Sequence, residues 1–276
     1  MFRTVLVHVD NLTASAERTR FAIDLAREFD ATLIGLTAGL PRLPIEVYAS
    51  SLGTVAVGPD YTEFDRQHVE AEFGTSAAAF KKATDGSGLD TDWRAIFESP
   101  SIAVAHAAGA ADIVVVGAGD QSLLGDFGTP SAGEIVLHTG RPILVVPEGR
   151  DRFKQQNVVV AWKDSPEAQR AIADAIPFMK RAATVAVVQV QEEKERESSL
   201  HDAEAFLVRH GIAAKTQVLQ PSGATVADQL IEFARRGQAD LIVAGAYGHT
   251  RLREWVFGGV TRGLLKRSPI PCLFSH

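Results

Sequence analysis

The chain has 276 residues, with 28 Lys and Arg against 34 Asp and Glu, a formal net charge of −6. This negative balance disfavours attraction of the whole molecule to nucleic acid or to an anionic membrane. The hydrophobic fraction of 46% and the charged fraction of 22% exclude a disordered or fibrous protein, and the length fits two globular domains.

Cysteine content and apolar runs indicate the compartment. Cys272 is the single cysteine, which excludes an internal disulfide framework and a zinc site built from several cysteines. The segment 1–10 lacks the pattern of a signal peptide, and no apolar run approaches the roughly 20 residues that span a bilayer. We therefore predict a cytoplasmic protein with neither a membrane nor a nucleic acid as partner.

The sequence of residues 4–38 predicts a strand, a helix and a second strand. The run Val5-Leu6-Val7 is typical of a strand buried on both faces of a parallel sheet, and Phe21, Leu25 and Phe29 recur at helical spacing. The segment from Gly39 to Gln67 is rich in Pro, Gly and small residues, which predicts an inserted irregular loop. A binding lid and a tolerated surface insertion are both open for it.

The second half of the chain repeats the first in the same order. The segment 157–190 is similar to 4–38, ADIVVVGAGD (111–120) matches ADLIVAGAYG (239–248), and RPILVVP (141–147) matches SPIPCLFSH (268–276). We predict two α/β domains, 1–150 and 151–276, each an open, five-stranded, Rossmann-like parallel sheet. Contact between the last strands, 143–146 and 270–274, would form an internal pseudo-dimer.

A glycine-rich stretch follows the apolar run 239–244. Gly245 and Gly248 would let the chain turn with its amides inward, and the segment 258–261 would open the next helix with unpaired N–H groups. Open α/β sheets bind ligands beyond the carboxyl ends of their strands, so this position predicts a phosphate cradle. Glycines that only permit tight packing are the alternative.

The spacing of Gly245, Gly248 and Gly258 is the Gly-x2-Gly-x9-Gly pattern of the universal stress protein family, which this chain resembles over nearly its whole length. The two-copy repeat identifies it as a tandem member. In the ATP-binding branch of that family the loop holds the phosphates. An Asp after the first strand contacts the nucleoside, and a residue after the second strand lines the adenine pocket.

This resemblance implies one nucleotide site in each half. The second-half site comprises Gly245, Gly248, Gly258, Gly259, Val260, Thr261, Lys163 and Val190, with Lys163 at the Asp position and Gly259 where the family has Ser or Thr. The first-half site is degenerate and comprises Asp10, Ala38, Gly117, Gly128 and Thr129. There Asp120 replaces the second glycine, and only seven residues, instead of nine, separate it from Gly128. The Asp120 carboxylate would repel phosphate.

Other polar residues have simpler interpretations. His201, Asp202, Glu204 and His210 are interpreted as a solvated helix face because the two histidines do not share an i, i+4 face, so no metal site is predicted. Cys272 is interpreted as a buried small hydrophobe. Thr13 and Ser165 are predicted helix N-caps, and Trp162 either stacks on a base or packs in the core. No Ser-His-Asp order indicates a nucleophile, and no catalytic residue is predicted.

Together these features predict a non-catalytic stress-response or signalling protein that binds ATP or a related nucleotide, with Mg²⁺ accompanying it. At most a slow ATPase activity is expected. A ligand-independent structural or chaperone-like module and a binder of another phosphorylated metabolite remain as alternatives. Assembly into a homo-oligomer is open.

Overall fold

The computed structural model describes residues 1–41, 59–118, 129–191, 197–248 and 259–276. Within these ranges the first half alternates strands and helices. Its strands are Thr4–His8 (β1), Thr32–Ala38 (β2), Thr91–Ile96 (β3), Ile113–Gly117 (β4) and Ile143–Val146 (β5). Its helices are Thr13–Phe29 (α1), Pro59–Thr84 (α2), Pro100–Ala107 (α3), which continues as a 3₁₀ turn, and Ala132–His138 (α4).

The second half repeats this alternation. Its strands are Asn157–Ala161 (β6), Thr184–Val190 (β7), Lys215–Leu219 (β8), Leu241–Gly245 (β9) and Cys272–Ser275 (β10). Its helices are Pro166–Met179 (α5), Glu197–Arg209 (α6), Val226–Arg236 (α7) and Gly259–Arg267 (α8). The described residues contain no helix that is both long and apolar enough to cross a membrane.

All ten strands form one sheet in the order β3-β2-β1-β4-β5-β10-β9-β6-β7-β8. Every pairing within a half is parallel, whereas β5 pairs with β10 antiparallel, with Val145 opposite Cys272 and Ile143 opposite Phe274. The predicted α/β class with two tandem open parallel sheets is confirmed. The last strands of the two halves join the sheets edge to edge.

Helices cover both faces of the sheet, which explains why inner strands such as β1, β4 and β6 are rich in consecutive apolar residues, whereas the edge strands β3 and β8 carry exposed polar residues. Along β1, Val5 and Val7 belong to the core on one face and Leu6 to the core on the other, and all three are fully buried. A parallel strand covered on both faces has no solvent side on which polar residues could alternate.

A second contact between the halves is aromatic. The ring of Phe178 on α5 lies 5.0 Å from that of Phe2 and 5.5 Å from that of Phe29 on α1. The Arg181 guanidinium lies 4.5 Å from the Phe29 ring centroid and donates to the carboxylate of Glu28 at 2.9 Å. Buried rings in edge-to-face contact stabilise such a junction beyond their area.

The interpretation of the whole segment 39–67 as irregular loop is wrong for its last part, because α2 begins at Pro59. Proline is well accommodated in the first turn of a helix, where its missing N–H has no partner in any case. Val69, Phe73 and Phe80 of α2 are buried, and Val69 and Phe73 approach Gly39. Residues 42–58 lie outside the described part of the chain.

The helix starts at the carboxyl ends of β1 and β6 differ. Ser165 caps α5 as predicted, since its Oγ accepts from the Ala168 N–H at 3.3 Å. The prediction for Thr13 is wrong because Leu12 occupies the N-cap position of α1, without a side-chain cap. The Leu12 N–H instead donates to Asp10 at 2.9 Å, an Asx-type bond that orders the turn.

Candidate functional site

Gly245 ends β9 directly against the first turn of α5. A Cβ on Gly245 would lie 2.5 Å from the backbone nitrogen of Ala168 and 2.6 Å from the carbonyl carbon of Glu167. Real Cβ atoms do not approach backbone so closely, so only glycine allows this helix to pack here. At Gly245 the structure therefore supports the tight-packing interpretation.

Gly248 lies where two helix N-termini meet. A Cβ on Gly248 would lie 3.1 Å from the Oγ of Ser165, the N-cap of α5. The preceding residue, Tyr247, has a left-handed φ of 59°, and its N–H donates at 3.3 Å to the Oγ1 of Thr261, in the first turn of α8. Helix N-termini carry partial positive charge and unpaired N–H groups, which makes this convergence suited to an anion.

A carboxylate of the protein itself occupies this position. Oε2 of Glu167 lies 2.7 Å from the position of a Cβ on Gly248, and it is a buried oxygen without a hydrogen-bond partner among the described residues. The helix dipoles favour this negative charge, but the same charge would repel a phosphate. An anionic ligand at Gly248 must therefore displace the Glu167 side chain.

Glu167 was missed by sequence reasoning. An acidic residue in the first turn of a helix is common because it complements the dipole, so its presence two residues after Ser165 gave no site signal. Its position over Gly248 depends on how closely α5 approaches β9, which is set by Gly245.

The other predicted second-half residues surround this point unevenly. Lys163 is half-buried after β6, and Gly259 and Val260 open α8 with exposed and half-buried positions. Val190 is buried in the core on the Leu6 face of the sheet. Trp162 packs in the opposite core, where its Nε1 donates to Ser199 at 3.3 Å, which supports the core interpretation. Gly258 lies outside the described residues.

Tyr247 faces the junction between the halves. Burial raises the pKa of its phenol to about 12, and the negative charge of Glu134 on α4 adds to this effect. Its ring packs against the core that both halves share on the Leu6 face. Tyr247 in the loop after β9 therefore lies close to Glu134 on a helix of the first half and is uncharged at neutral pH.

The first half carries a buried polar cluster at the carboxyl end of β1. The Arg18 guanidinium donates through Nε to the His8 carbonyl and through Nη2 to Asp10 Oδ2, both at 2.8 Å. Nδ1 of His8 lies 3.4 Å from the same carboxylate oxygen. A Cβ on Gly117 would lie 2.6 Å from Arg18 Nη1, so Gly117 provides space for this guanidinium. Asp10 is the one member of the cluster that reaches a cleft.

The cluster has defined charges. Burial alone would raise the pKa of Asp10, but contact with His8 and the positive charge of Arg18 outweigh it and lower that pKa to about 2. Burial lowers the pKa of His8, which opposes its protonation. Asp10 is therefore a carboxylate and Arg18 its counter-ion at neutral pH.

Three of the predicted first-half residues meet at this cleft. Asp10, Ala38 and Thr129 line a cavity of about 190 Å³, whereas Gly117 does not, and Gly128 and Asp120 lie outside the described residues. Helix α2 closes the opposite side. Three of the five residues of the predicted first-half site therefore line one cleft, and their role in binding stays a prediction.

The polar cluster is specific to the first half. The positions that match His8, Asp10 and Arg18 in the repeat are Ala161, Lys163 and Ala171. Sequence reasoning missed His8 and Arg18. The available signal was Arg18 itself, which lies on the same helical face as the apolar Phe21, Ala22 and Leu25 and so predicts a charge directed into the core.

No group of three or more His, Cys, Asp or Glu side chains that could hold a metal ion occurs in the ranges that the structure describes. Cys272 is buried, and burial raises the pKa of its thiol to about 12. Its protonated Sγ donates to the Ile270 carbonyl at 3.3 Å. These contacts give Cys272 the character of a core residue.

The fold and the glycine turn define a class of duplicated open-sheet α/β proteins. The model of the universal stress protein family matches residues 1–147 and 155–276, so the chain belongs to this family. A search of curated proteins finds no match to the chain.

Solved structures share the fold over nearly the full length. A universal stress protein from Archaeoglobus fulgidus DSM 4304 is 16% identical with a TM-score of 0.68, and the match covers 99% of this chain and 95% of that one. A putative universal stress protein from Pseudomonas aeruginosa UCBPP-PA14 is 15% identical with a TM-score of 0.64, and the match covers 99% of this chain and 93% of that one. A universal stress protein solved in complex with cAMP is 20% identical over 54% of this chain and 98% of its own, with a TM-score of 0.36.

Proposed function

We propose that the protein is a non-catalytic, nucleotide-binding member of its family that holds the phosphate of an ATP-type ligand at Gly248. The observation that carries this proposal is the convergence of the N-termini of α5 and α8 on Gly248, where the protein already accommodates the Glu167 carboxylate. A position that stabilises one anion is suited to another.

Ligand binding at this position requires an exchange of anions. The phosphate takes the place of the Glu167 carboxylate, and Lys163 after β6 supplies a cation near the nucleoside side of the site. Mg²⁺ bound to the phosphates would reduce repulsion from any remaining carboxylate. Glu167 thus weakens binding, and affinity reflects the cost of moving it.

We infer that displacement of the Glu167 side chain by a ligand changes the conformation of the loop at Gly248, and that this change is the signal. The loop Gly245–Gly248 is bonded to α8 through Thr261, and its Tyr247 lies near enough to Glu134 of the first half for that charge to raise the pKa of the phenol. A ligand that binds one loop conformation better than the other shifts the population by its difference in affinity. In this proposal the two halves act as an internal pseudo-dimer of domains 1–150 and 151–276 in the cytoplasm, where the signal passes between them.

The test is calorimetric titration of the full chain with ATP, ADP, AMP and inorganic tripolyphosphate. Glu167→Gln keeps the side-chain volume and removes the like charge, so we expect it to bind ATP about tenfold more tightly, which corresponds to ~1.4 kcal/mol. Glu232→Gln, an exposed carboxylate paired with Arg236 on α7, is the matched control and should leave affinity unchanged. Phosphate release should stay at background.

A ligand-independent structural module is the second candidate, and a specific observation favours it. Gly245 is required for helix packing, and Glu167 already fills the space at Gly248, so the described part of this loop is packed against protein atoms. If neither the wild type nor Glu167→Gln binds any of the four compounds, the module remains and the nucleotide proposal is wrong. Binding of tripolyphosphate with the same affinity as ATP would favour another phosphorylated metabolite.

A further inference from the structure

We propose that the first-half cleft binds a small organic ammonium ligand, a short alkyl or aryl amine, and does not bind a phosphate. The cleft is lined by Asp10 and Thr37 at the ends of β1 and β2 and by Asp65 and Glu72 on α2. This inference is independent of the nucleotide proposed for the second half.

The charge of the cleft excludes an anion. Three carboxylates line it, Asp10, Asp65 and Glu72, and the Arg18 guanidinium behind Asp10 is the one buried cation bonded to them in the described structure. The three carboxylates and the Arg18 guanidinium together carry a net charge of −2. Nε2 of His68, which also lines the cleft, lies 3.4 Å from Glu72. Because Arg18 already balances Asp10, the carboxylates on α2 provide the attraction for a cation.

A buried hydroxyl points to a ligand independently of these charges. Thr37 is only 4% exposed and lines the cleft, and although its backbone pairs with β3, its hydroxyl makes no hydrogen bond with any described residue. A polar group buried to this extent is normally hydrogen-bonded. Its oxygen can accept an N–H from an ammonium group held between the strands and α2.

The cleft is held open by fixed contacts. Asn11, in the turn after β1, accepts from the Ser76 hydroxyl at 2.9 Å and donates to the Glu72 carbonyl at 3.4 Å, which ties α2 to that turn. The volume of about 190 Å³ is below the roughly 300–1,000 Å³ of pockets for drug-sized ligands, so a small ligand fits.

The rim supplies an apolar surface. Leu12 and Leu40 line the cleft and are 54% and 51% exposed, which is high for leucine side chains. An alkyl or aryl group on the ligand would cover them while its ammonium group lies near α2. The combination specifies an amine with an apolar part, and not a bare inorganic cation.

The test uses the full chain and three probes of equal length: butylammonium, butanol and butyrate, titrated by protein-observed NMR at pH 8. We expect butylammonium to bind best and butyrate not to bind. Glu72→Gln or Asp65→Asn should each weaken butylammonium about two- to fivefold and the double variant about tenfold, with further weakening in high salt. Thr37→Val, which keeps the side-chain shape, should also weaken it.

Glu70→Gln is the matched control, because Glu70 lies on the same helix but pairs with Arg66 outside the cleft. It should bind butylammonium as the wild type does. Equal binding of butyrate, an unchanged affinity in the double variant, or no binding of butylammonium by the folded wild type would each overturn the proposal.

Discussion

Replacement of Asp10 by asparagine should destabilise the first half by about 3 kcal/mol at neutral pH. The pKa of Asp10 falls from 3.8 to about 2 in the folded chain, which corresponds to about 2 kcal/mol in favour of the carboxylate. Removing one partner of a buried ion pair costs about 3–5 kcal/mol because the other charge is left uncompensated. Here the stranded charge would be Arg18, which is 5% exposed and keeps its bond to the His8 carbonyl.

The pH dependence gives a second measure of the same contact. Because the folded pKa of Asp10 is depressed, its stabilisation is complete above about pH 4 and is lost as the pH falls towards about 2. The difference between the wild type and Asp10→Asn should therefore be largest at pH 7 and should narrow below pH 3.

Urea denaturation measures the total loss of unfolding free energy in Asp10→Asn. Hydrogen exchange of the β1 and β6 amides then shows which half of the protein is destabilised. Asp24→Asn is the control, because Asp24 forms a more exposed pair with Arg152 at 3.5 Å and should cost less than about 1 kcal/mol. The variant Asp10→Asn/Arg18→Met, which removes both charges, should recover part of the loss. The assignment of a buried ion pair is wrong if Asp10→Asn is as stable as the wild type at pH 7. It is also wrong if the difference in unfolding free energy between the two is as large at pH 2 as at pH 7.

Three further substitutions test the packing. Gly245→Ala should lower the free energy of unfolding by about 1–3 kcal/mol, because the new Cβ meets the backbone of α5. Gly248→Ala should lower it much less, because the Glu167 carboxylate that its Cβ meets can move. Thermal melts compare the two variants, and equal effects would contradict this distinction. Phe178→Ala should cost about 3–5 kcal/mol and separate the unfolding of the two halves in calorimetry, since it removes ring contacts with Phe2, Phe29 and Phe153. A single transition at the wild-type temperature would show that the strand junction alone joins them.

The repeat and the strand runs were sufficient to predict the fold. Runs such as Val5-Leu6-Val7 have one interpretation because both faces of a parallel sheet are covered, and each matched segment supports its counterpart. Helix α2 was missed at its start because Pro and Gly before residue 60 favoured a loop. The spacing of Val69, Phe73 and Phe80 nevertheless carried a helical signal.

The candidate sites were harder to predict because they depend on approach distances between elements. The positions of Gly248 and Asp10 follow from the topology, since both come after the carboxyl ends of strands. The direction of Glu167 depends on the contact of α5 with Gly245, and the pairing of Arg18 with Asp10 depends on the space at Gly117. Neither distance is encoded in a local pattern.

The antiparallel pairing of β5 with β10 reverses one half of the sheet relative to the other. Gly117 and Gly245 end strands that point in opposite directions, so the cleft near Asp10 and the turn at Gly248 open on opposite rims of a single slab. The two proposed ligands would therefore not compete for one site. With both proposed sites filled, communication between the two ligands would have to cross the contacts between the halves, namely the β5–β10 pairing, Tyr247 beside Glu134, and the rings of Phe2, Phe29 and Phe178.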